Sequence, residues 1–591
     1  MSFNKYYQEE LAFLRGMGKE FANAYPLLGQ FLTTPGTDPD VERMLDGFAF
    51  LTARVKQKLD DEFPEIVQGM MNLLWPHYLR PIPAMSMLKF EPIPAMVRDL
   101  QRIPRGTEVK STPISGTSCL FRTCYDVDIL PVKINNVALD TPLGRLQQLK
   151  IQFFPTGDTK INQLSFEKLQ LHLFGEPSYD LYLWLCKYVK NMFLTYAVKT
   201  KQGEDKPKKH ITLDTSLIEP VGFEQTEALL PYPAASFDGY RLLQEYFALP
   251  SKFMFINIGG MSCLRHDEIE GPFDLVIEFS RPLPSSMRVT ADNVLLNCTP
   301  VVNIFYKDAD PVRIEHNKSE YLIRPTGVDA AHYEIYSVDK VSSWVKGRVK
   351  ERVYDPFFSF RHDFNNSEDD IVYYNATIRE RISGQGTETY LSFVNNENSG
   401  IIPETEVVAI NLTCINRLIP GLLKAGDIKV PTDKSPEFVR FANITNVTQE
   451  LSSPFSMDIY WRLLSHMSLN YLSLANVEAL RSILTLYNFQ ALYDQQATRA
   501  NELRLEGIKK IETRKTTRLY KGAPVSGIAL EFHMQEDCFA GDGDMYLFST
   551  ILSEFLSLYV SINSFTELTV RGVQEGEIYK WKPKIGKQRM I

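Results

Sequence analysis

The apolar residues nearest the N-terminus recur with a helical period. Steps of three or four residues separate the members of one stripe, which consists of Tyr7, Leu11, Leu14, Met17 and Phe21. Because an α-helix completes a turn about every 3.6 residues, this spacing places all of them on one helix face. We predict an amphipathic helix whose apolar face packs either into the core of its own domain or against a partner subunit, since the spacing fits both.

A second helix has a clear start signal. Asp38 is suited to the N-cap, and Pro39 to the first helical position, where the N–H that proline lacks is not needed. The segment from Asp60 to Pro64 ends the helix, because the residue before a proline disfavours the helical conformation. The predicted apolar face of this helix consists of Val41, Leu45, Phe48, Thr52, Val55 and Leu59.

Beyond Pro83 the apolar period changes to two over several segments, which is typical of strands with one buried face. The apolar positions in these segments are Leu149, Ile151 and Phe153; Leu169, Leu171 and Leu173; Phe273, Leu275, Ile277 and Phe279; and Val408, Ile410, Leu412 and Cys414. We predict strands there, with the intervening residues facing solvent.

The remaining pattern completes a predicted α+β, multidomain fold. Helical spacing returns between Ser178 and Tyr196 and from about Met457 to Glu506; a last β run spans residues 528–534, and residues 545–562 are apolar nearly all round, as in a helix buried on several sides. An N-terminal helical region thus precedes β-rich domains and a C-terminal α/β region. The predicted domains are 1–80, helical; 81–230, β-rich with a helical insertion; 231–450, β-rich; and 451–591, α+β.

Composition narrows the class of protein. The chain has 591 residues, 44% of them hydrophobic and 23% charged, so it can bury several cores without metal or disulfide staples. A net charge of −8 without a basic stripe argues against nucleic-acid binding. The seven cysteines are scattered and are expected to be reduced. With no recognisable signal peptide or membrane span, we expect a cytoplasmic protein without direct membrane insertion.

The sequence lacks the short motifs of common catalytic sites. It has no phosphate-binding glycine loop, nucleophile elbow or zinc-protease helix. The segment 537–544, which contains three aspartates, does not have the ligand spacing of a calcium loop and is interpreted as a turn between a strand and a helix. His172 and His533 fall on the polar phase of strands and are expected to face solvent. We predict no enzymatic activity, catalytic residue, cofactor or metal site.

Three blocks of the sequence resemble the TssF (ImpG/VasA) family of type VI secretion baseplate proteins. The first block includes Tyr6-Tyr7, Glu10-Leu11-Ala12-Phe13-Leu14-Arg15, Tyr25-Pro26, Asp38-Pro39-Asp40-Val41-Glu42-Arg43-Met44-Leu45 and Leu59-Asp60-Asp61-Glu62-Phe63-Pro64. The second includes Pro231-Tyr232-Pro233, Gly239-Tyr240-Arg241-Leu242-Leu243-Gln244-Glu245-Tyr246-Phe247 and Lys252-Phe253. The third includes Leu547-Phe548, Phe555, Tyr559 and Asn563-Ser564-Phe565-Thr566. The blocks span nearly the whole chain in order.

This resemblance implies a structural wedge subunit of a contractile secretion machine. The partners it implies are TssG, with two TssF copies per TssG, a second TssF copy, TssK, TssE and the VgrG hub. The wedge is expected to template the contractile tail and to be recruited to the inner-membrane complex. Candidate partner-interface residues are the N-terminal stripe, Tyr7, Leu11, Leu14, Met17 and Phe21, and the second block, Tyr240, Arg241 and Tyr246. For the second block, a seam within the chain's own core is an equally open alternative, since tyrosine and arginine suit both.

A function of a different class stays open beside this one. Abundant tyrosine and several β segments also fit a carbohydrate-binding or carbohydrate-active β-rich protein. A cleft with two carboxylates at catalytic spacing would favour that alternative. Obligate complex formation with a smaller neighbouring subunit would favour the baseplate protein.

Overall fold

The computed structural model describes most of the chain. The described residues are 7–8, 10–14, 39–60, 68–69, 71–72, 75–94, 96–157, 159–196, 209–232, 237–265, 269, 271–285, 287–314, 318–329, 331–344, 351–358, 372–381, 386–395, 406–453, 476–492, 495–520, 522–560 and 563–586. Helices and strands both contribute extensively, which confirms a mixed α+β fold with several sheets.

The chain divides into two compact units, each built from segments distant in sequence. The first unit contains residues 1–81, 306–417 and 452–465. The second unit contains residues 82–305, 418–451 and 466–591. The order of four consecutive domains stays a prediction.

The described residues include six α-helices: α1 (Pro39–Asp60), α2 (Ser178–Lys187), α3 (Asp238–Ala248), α4 (Val477–Leu486), α5 (Gln495–Glu506) and α6 (Asp542–Leu558). The predicted first helical position of α1 at Pro39 is confirmed, whereas most of the predicted end, Asp60 to Pro64, lies outside the described residues. Helical residues at 7–8 and 10–14 form a short N-terminal segment. In no described helix do length and apolar character together reach what a membrane crossing requires.

The strands fall into three groups along the chain. The second unit begins with β1 (Met85–Pro92), β2 (Gln101–Ile103), β3 (Glu108–Ser111), β4 (Leu120–Thr123), β5 (Val127–Ile129), β6 (Val132–Asp140), β7 (Gln148–Pro155), β8 (Leu169–Leu173), β9 (Val189–Tyr196), β10 (Lys209–Leu213), β11 (Ile218–Pro220), β12 (Phe255–Ile258), β13 (Phe273–Phe279), β14 (Val294–Leu295) and β15 (Cys298–Val302). The strands of the first unit are β16 (Phe305–Asp308), β17 (Val312–Ile314), β18 (Tyr321–Leu322), β19 (Glu334–Ser343), β20 (Arg352–Pro356), β21 (Val372–Glu380), β22 (Thr387–Asn395) and β23 (Glu406–Ile415). The chain then returns to the second unit with β24 (Ile428–Val430), β25 (Val439–Asn443), β26 (Ile508–Tyr520), β27 (Ala523–Met534), β28 (Ser564–Gly572), β29 (Ile578–Lys580) and β30 (Lys584–Ile585).

Five sheets build the described part of the second unit. Their strand orders are β24-β3-β4-β15-β1-β25, β10-β9-β13-β7-β6, β11-β12-β8-β14, β26-β27-β28-β29 with β30 also on β28, and the pair β2-β5. The first of these sheets has an apolar core in which Phe90 and Phe441 meet edge to face at 5.9 Å between ring centroids. In the first unit, the order is β16-β23-β19-β20-β21-β22-β18, with β17 also on β23.

Helix α6 is the apolar centre of the C-terminal part of the second unit. The predicted helix, buried on several sides, is confirmed: thirteen of its residues are buried, and it contacts α2, α3 and β28. Its first turn comes very close to α2, because a Cβ on Gly543 would fall 2.3 Å from the backbone carbon of Tyr179. The turn predicted for residues 537–544 is confirmed in part: residues up to 541 connect β27 to α6, whereas residues 542–544 are already the first turn of the helix.

One segment predicted as helix is partly a strand. Helix α2 ends at Lys187, and Val189–Tyr196 forms β9, which pairs with β10 on one side and β13 on the other. The aromatic and apolar residues of this segment suit either structure at short range. Pairing with two neighbouring strands decides the outcome, which is a tertiary effect.

Solvent exposure was wrongly predicted for alternate residues of β8 and β13, whereas on β23 the intervening residues Ala409 and Asn411 are exposed as predicted. His172 on β8 is 2% exposed, with its ring 4.3 Å from that of Phe255. Asp274 on β13 is 4% exposed and lies 3.3 Å from the Lys150 ammonium. Both strands have sheet neighbours on each side and are covered on both faces, so neither face is left to solvent.

Candidate interaction surfaces

The N-terminal segment packs against α1 through part of the predicted stripe. Leu11 is buried, whereas Tyr7 and Leu14 are half-buried. The Tyr7 hydroxyl donates to the Asp46 carboxylate at 3.3 Å, which connects the segment to α1. The other two stripe residues, Met17 and Phe21, lie outside the described residues.

Helix α1 has two apolar faces, only one of which the described chain covers. Ala49 and Ala53 are fully buried. Met44, Phe48 and Leu51 are 76%, 60% and 64% exposed, and we call these three residues the α1 stripe. At about 100° per residue, the stripe lies roughly 150° around the helix from the two alanines. Phe48, a member of the predicted apolar face of α1, therefore lies on the side of the helix that the described chain leaves uncovered.

The α1 stripe is unusual for a surface. Large apolar side chains are often exposed singly, but three at helical spacing form a continuous strip that water solvates poorly. The nearby N-terminal segment adds Phe13, which is 60% exposed. Small alanines on one face allow close packing inside the chain, while the large side chains face outward. This arrangement is typical of a helix that a second protein covers.

The second candidate group centres on Arg241 of α3, whose side chain is fully buried. Its guanidinium donates to both oxygens of Asp238 at 2.7 and 3.0 Å, and to Glu245 Oε2 at 3.0 Å. The ammonium of Lys252, also fully buried, donates to the same Glu245 oxygen. We call Asp238, Arg241, Glu245 and Lys252 the Arg241 cluster. Two carboxylates and two cations balance its charge.

Glu245 also satisfies backbone groups outside the cluster. Its Oε1 accepts the N–H of Leu229 at 2.7 Å and that of Leu230 at 3.1 Å. One buried carboxylate therefore connects α3 to the preceding loop and to Lys252. The cluster therefore holds α3, the preceding loop and Lys252 together in the core. Buried polar groups of this kind are stable only when fully paired.

The two cations of the cluster respond differently to burial. Burial lowers the pKa of Lys252 to about 8, although the attraction of Glu245 opposes this change. Burial also acts to lower the pKa of Arg241, but Glu245 and Asp238 outweigh it and raise that pKa. Arg241 is therefore charged at every accessible pH, whereas Lys252 loses its proton more readily than an ordinary lysine.

The tyrosines of this group are buried among aromatic rings. Tyr240 stacks on Tyr487 at 4.7 Å between centroids and shares a hydrogen bond with the Tyr559 hydroxyl. Tyr246 is 1% exposed and lies 5.8 Å from the ring of Phe548 in α6. These contacts favour the alternative of a core seam for Tyr240, Arg241 and Tyr246. Their predicted part in a partner interface stays a prediction.

A polar cavity of about 360 Å³ in the second unit is relevant to the carbohydrate alternative. Three carboxylates line it, and each already accepts hydrogen bonds from the chain. Asp128 accepts two from Arg102, Asp126 accepts the N–H of Arg105, and Glu227 accepts the backbone N–H groups of Gly222 and Glu224. This pairing gives no support to a pair of catalytic carboxylates. Among the described residues, no group of three metal-ligating side chains is found either.

The Arg241 cluster stabilises the chain's own core, and the α1 stripe faces outward. This combination is typical of a structural protein that binds other proteins. Comparison with known families makes this specific. The model of the family "Type VI secretion system, TssF" matches residues 1–588, and the chain belongs to this family of structural baseplate components. The TssF1 component of Pseudomonas aeruginosa is 29% identical over 98% of both chains.

Solved structures agree in fold over nearly the whole chain. A chain of a TssK-TssF-TssG baseplate subcomplex, solved by cryo-electron microscopy, is 30% identical with a TM-score of 0.74, covering 93% of this chain and 99% of that one. A chain of a baseplate complex from the type VI secretion system is 27% identical with a TM-score of 0.68, covering both chains completely. The sequence resemblance to this family is therefore confirmed.

Proposed function

We propose that the chain is a baseplate wedge subunit that binds TssG, a second copy of itself and TssK. The α1 stripe carries this proposal, because it is a large apolar surface that the described chain leaves uncovered. The TssK-TssF-TssG subcomplex among the similar structures supports the identity of two of the partners. The N-terminal segment and α1 pack into an intermolecular helical bundle with TssG and the second copy.

The energetics of the α1 stripe fit such a bundle. Fully burying an exposed large apolar side chain contributes about 1.5–3 kcal/mol, and the exposed fractions of the three add up to two such side chains, so they contribute roughly 3–6 kcal/mol. Association costs on the order of 4–15 kcal/mol in lost freedom of motion. The stripe therefore offsets much of this cost, and further contacts in the bundle provide the remainder.

The wider role follows from the same proposal. Two TssF copies join one TssG in a wedge, TssE connects the wedge to the sheath, and wedges surround the VgrG hub. The wedge templates and anchors the contractile tail, and this cytoplasmic assembly is recruited to the inner-membrane complex. An N-terminal helical region, β-rich central domains and a C-terminal α/β region supply the separate surfaces. Membership of the TssF family supports each of these steps.

Replacing Leu51 by aspartate tests the proposal. Leu51 is 64% exposed, so a carboxylate there is solvated in the free chain but desolvated in a bundle. We expect unchanged circular dichroism and at least about tenfold less TssG co-purified with the variant, since 1.4 kcal/mol corresponds to a factor of ten. Arg43→Asp is the matched control, because Arg43 is exposed on the same helix away from the stripe.

Two results would contradict the proposal. TssG recovery with Leu51→Asp could equal that with the wild type, or Arg43→Asp could reduce recovery as strongly. Leu11 is less suitable for this test, because it is buried and aspartate there would also disturb the packing of the N-terminal segment.

A further inference from the structure

A long hairpin in the second unit presents an open strand edge. Strand β26 has thirteen residues and pairs with β27 along its length. It lies at the end of its sheet, and no other strand in the described part of the chain pairs with it. At the base of β26, Arg481 of α4 donates to the Ile508 carbonyl at 2.7 Å. The open part of the edge therefore runs from Ile511 to Tyr520 and is roughly 30 Å long at about 3.3 Å per residue.

The outer end of the hairpin extends beyond the rest of its sheet. Strand β28 begins to pair with β27 at Ser526, which lies opposite Thr517 on β26. The described residues from Arg518 to Val525 therefore form a two-stranded tip. Leu519 in this tip is 80% exposed. A two-stranded ribbon is marginally stable by itself, so a third strand along β26 would stabilise it.

The common devices that block strand pairing are missing from most of this edge. Natural edge strands are protected by short length, proline, bulges or charge. The one register shift in the hairpin lies at its base, between Ile508 and Lys510, and the ladder is continuous from Ile511 to Tyr520. Proline is also absent from β26. From Ile511 to Tyr520, charge is therefore the one of these devices that protects the edge.

That charge has a single predominant sign. β26 carries five cationic residues and one carboxylate, Glu512. Lys510 pairs with Glu512 at 2.7 Å, and Arg518 pairs with Glu567 at 2.8 Å. The remaining cations, Lys509, Arg514 and Lys515, are exposed and form no ion pair with any residue that the structure describes. Like charges would repel a second copy of the same edge, whereas an acidic strand would neutralise them.

We propose that β26 binds an extended, acidic peptide segment of a partner protein by strand addition. The backbone of the segment extends the sheet by one strand, which gives affinity without sequence preference. Its carboxylates meet Lys509, Arg514 and Lys515, which gives preference for acidic segments. Successive residues of β26 point to opposite faces, and Arg514 and Lys515 therefore place positive charge on both faces of the edge.

The test uses the full chain and a fluorescently labelled peptide of alternating glutamate and valine, about as long as β26. Fluorescence anisotropy should show binding that weakens as salt rises, because exposed charges are screened. Changing Lys509, Arg514 and Lys515 together to glutamate should weaken binding at least about tenfold. The matched control changes Lys110, Lys133 and Lys190 to glutamate; these three exposed strand lysines give the same change in net charge, and binding should be unaffected.

A second peptide separates strand addition from charge attraction alone. In a peptide of the same sequence with every backbone nitrogen methylated, no backbone N–H is left to donate to β26, so it cannot form a regular ladder. We expect it to bind at least about tenfold more weakly than the valine peptide at equal charge. Equal binding of the two peptides would overturn the proposal, as would equal loss in the control variant. Self-association abolished by the three glutamates, or a preference for duplex DNA over the valine peptide, would also overturn it.

Discussion

Replacing Glu245 by glutamine tests whether the Arg241 cluster holds the core around α3. Glutamine keeps an oxygen that can accept the N–H groups of Leu229 and Leu230. Its amide nitrogen, however, replaces the oxygen that accepts from Arg241 and Lys252. The change therefore places a donor against two buried donors and removes one of the two balancing charges.

The magnitude follows from the burial of all three side chains. Arg241, Glu245 and Lys252 are fully buried, and removing one partner of such a pair costs about 3–5 kcal/mol. Leucine at position 245 would in addition leave two backbone donors unpaired, at about 1–3 kcal/mol each. That total approaches the entire stability of an ordinary domain, about 5–15 kcal/mol, so glutamine is the more informative variant.

Hydrogen exchange measured by mass spectrometry is the appropriate assay, because a chain with two compact units need not unfold in one step. Peptides covering α3 should lose about 3–5 kcal/mol of protection in Glu245→Gln. The matched control is Glu219→Gln, which breaks a pair with Lys168 of similar chemistry but with both side chains more than half exposed. Exposed pairs contribute about 0–1 kcal/mol, so the control should change little.

A double variant examines the charge directly. Lys252→Met removes one of the two cations that Glu245→Gln leaves unbalanced. The double variant should therefore be more stable than the sum of the two single changes implies, by roughly 0.5–3 kcal/mol. Additive effects in this cycle would refute the reasoning, as would a loss in Glu245→Gln no larger than in Glu219→Gln.

Two further predictions concern the second unit. Burial lowers the pKa of Lys252 from 10.5 to about 8, so the unfolded chain binds this proton more tightly than the folded chain does. The contribution of Lys252 therefore lowers the free energy of unfolding as pH falls from 10.5 to 8 and does not change further below pH 8. The urea midpoint from tryptophan fluorescence should rise less between pH 8 and 10.5 in Lys252→Met than in the wild type; an equal rise would contradict this. Gly543→Ala should lower the melting temperature, because its Cβ would collide with the backbone of Tyr179 at a cost of about 1–3 kcal/mol. Gly47→Ala, in open space on α1, should leave it unchanged or raise it slightly, and equal effects of the two changes would disprove the explanation.

Sequence patterns predicted those elements whose signals are local. The Pro39 start of α1 depends on one residue's φ and its missing N–H, and it is confirmed. In strand β7 the predicted apolar positions Leu149, Ile151 and Phe153 are buried, while the intervening residues are half-buried. Helix α6 is apolar nearly all round and buried on most sides, as its composition requires. In each case, the information lies within the segment itself.

Other elements depended on contacts between distant segments. Strand β26 was missed because its sequence is polar on both faces, and pairing with β27 rather than burial makes it a strand. Strand β28 was missed as well; it pairs in parallel with β27, across the whole of α6 in sequence. His172 is buried because β8 has covers on both faces, whereas period two predicts one solvent face. Nothing within these short segments specifies the neighbours.

The two candidate surfaces show why sequence alone could not separate a core from an interface. An apolar stripe removes the same area from water whether its own chain or another subunit covers it, so both leave the same spacing in the sequence. Phe48 belongs to a predicted apolar face and is exposed, whereas Arg241, for which a partner contact and a core seam were equally open, is fully buried. The structure of the isolated chain distinguishes a core from an interface, because only a surface that another subunit covers stays exposed in it. For a protein built into an assembly, exposure of large apolar residues in the isolated chain is therefore the stronger indicator of a binding surface than residue type.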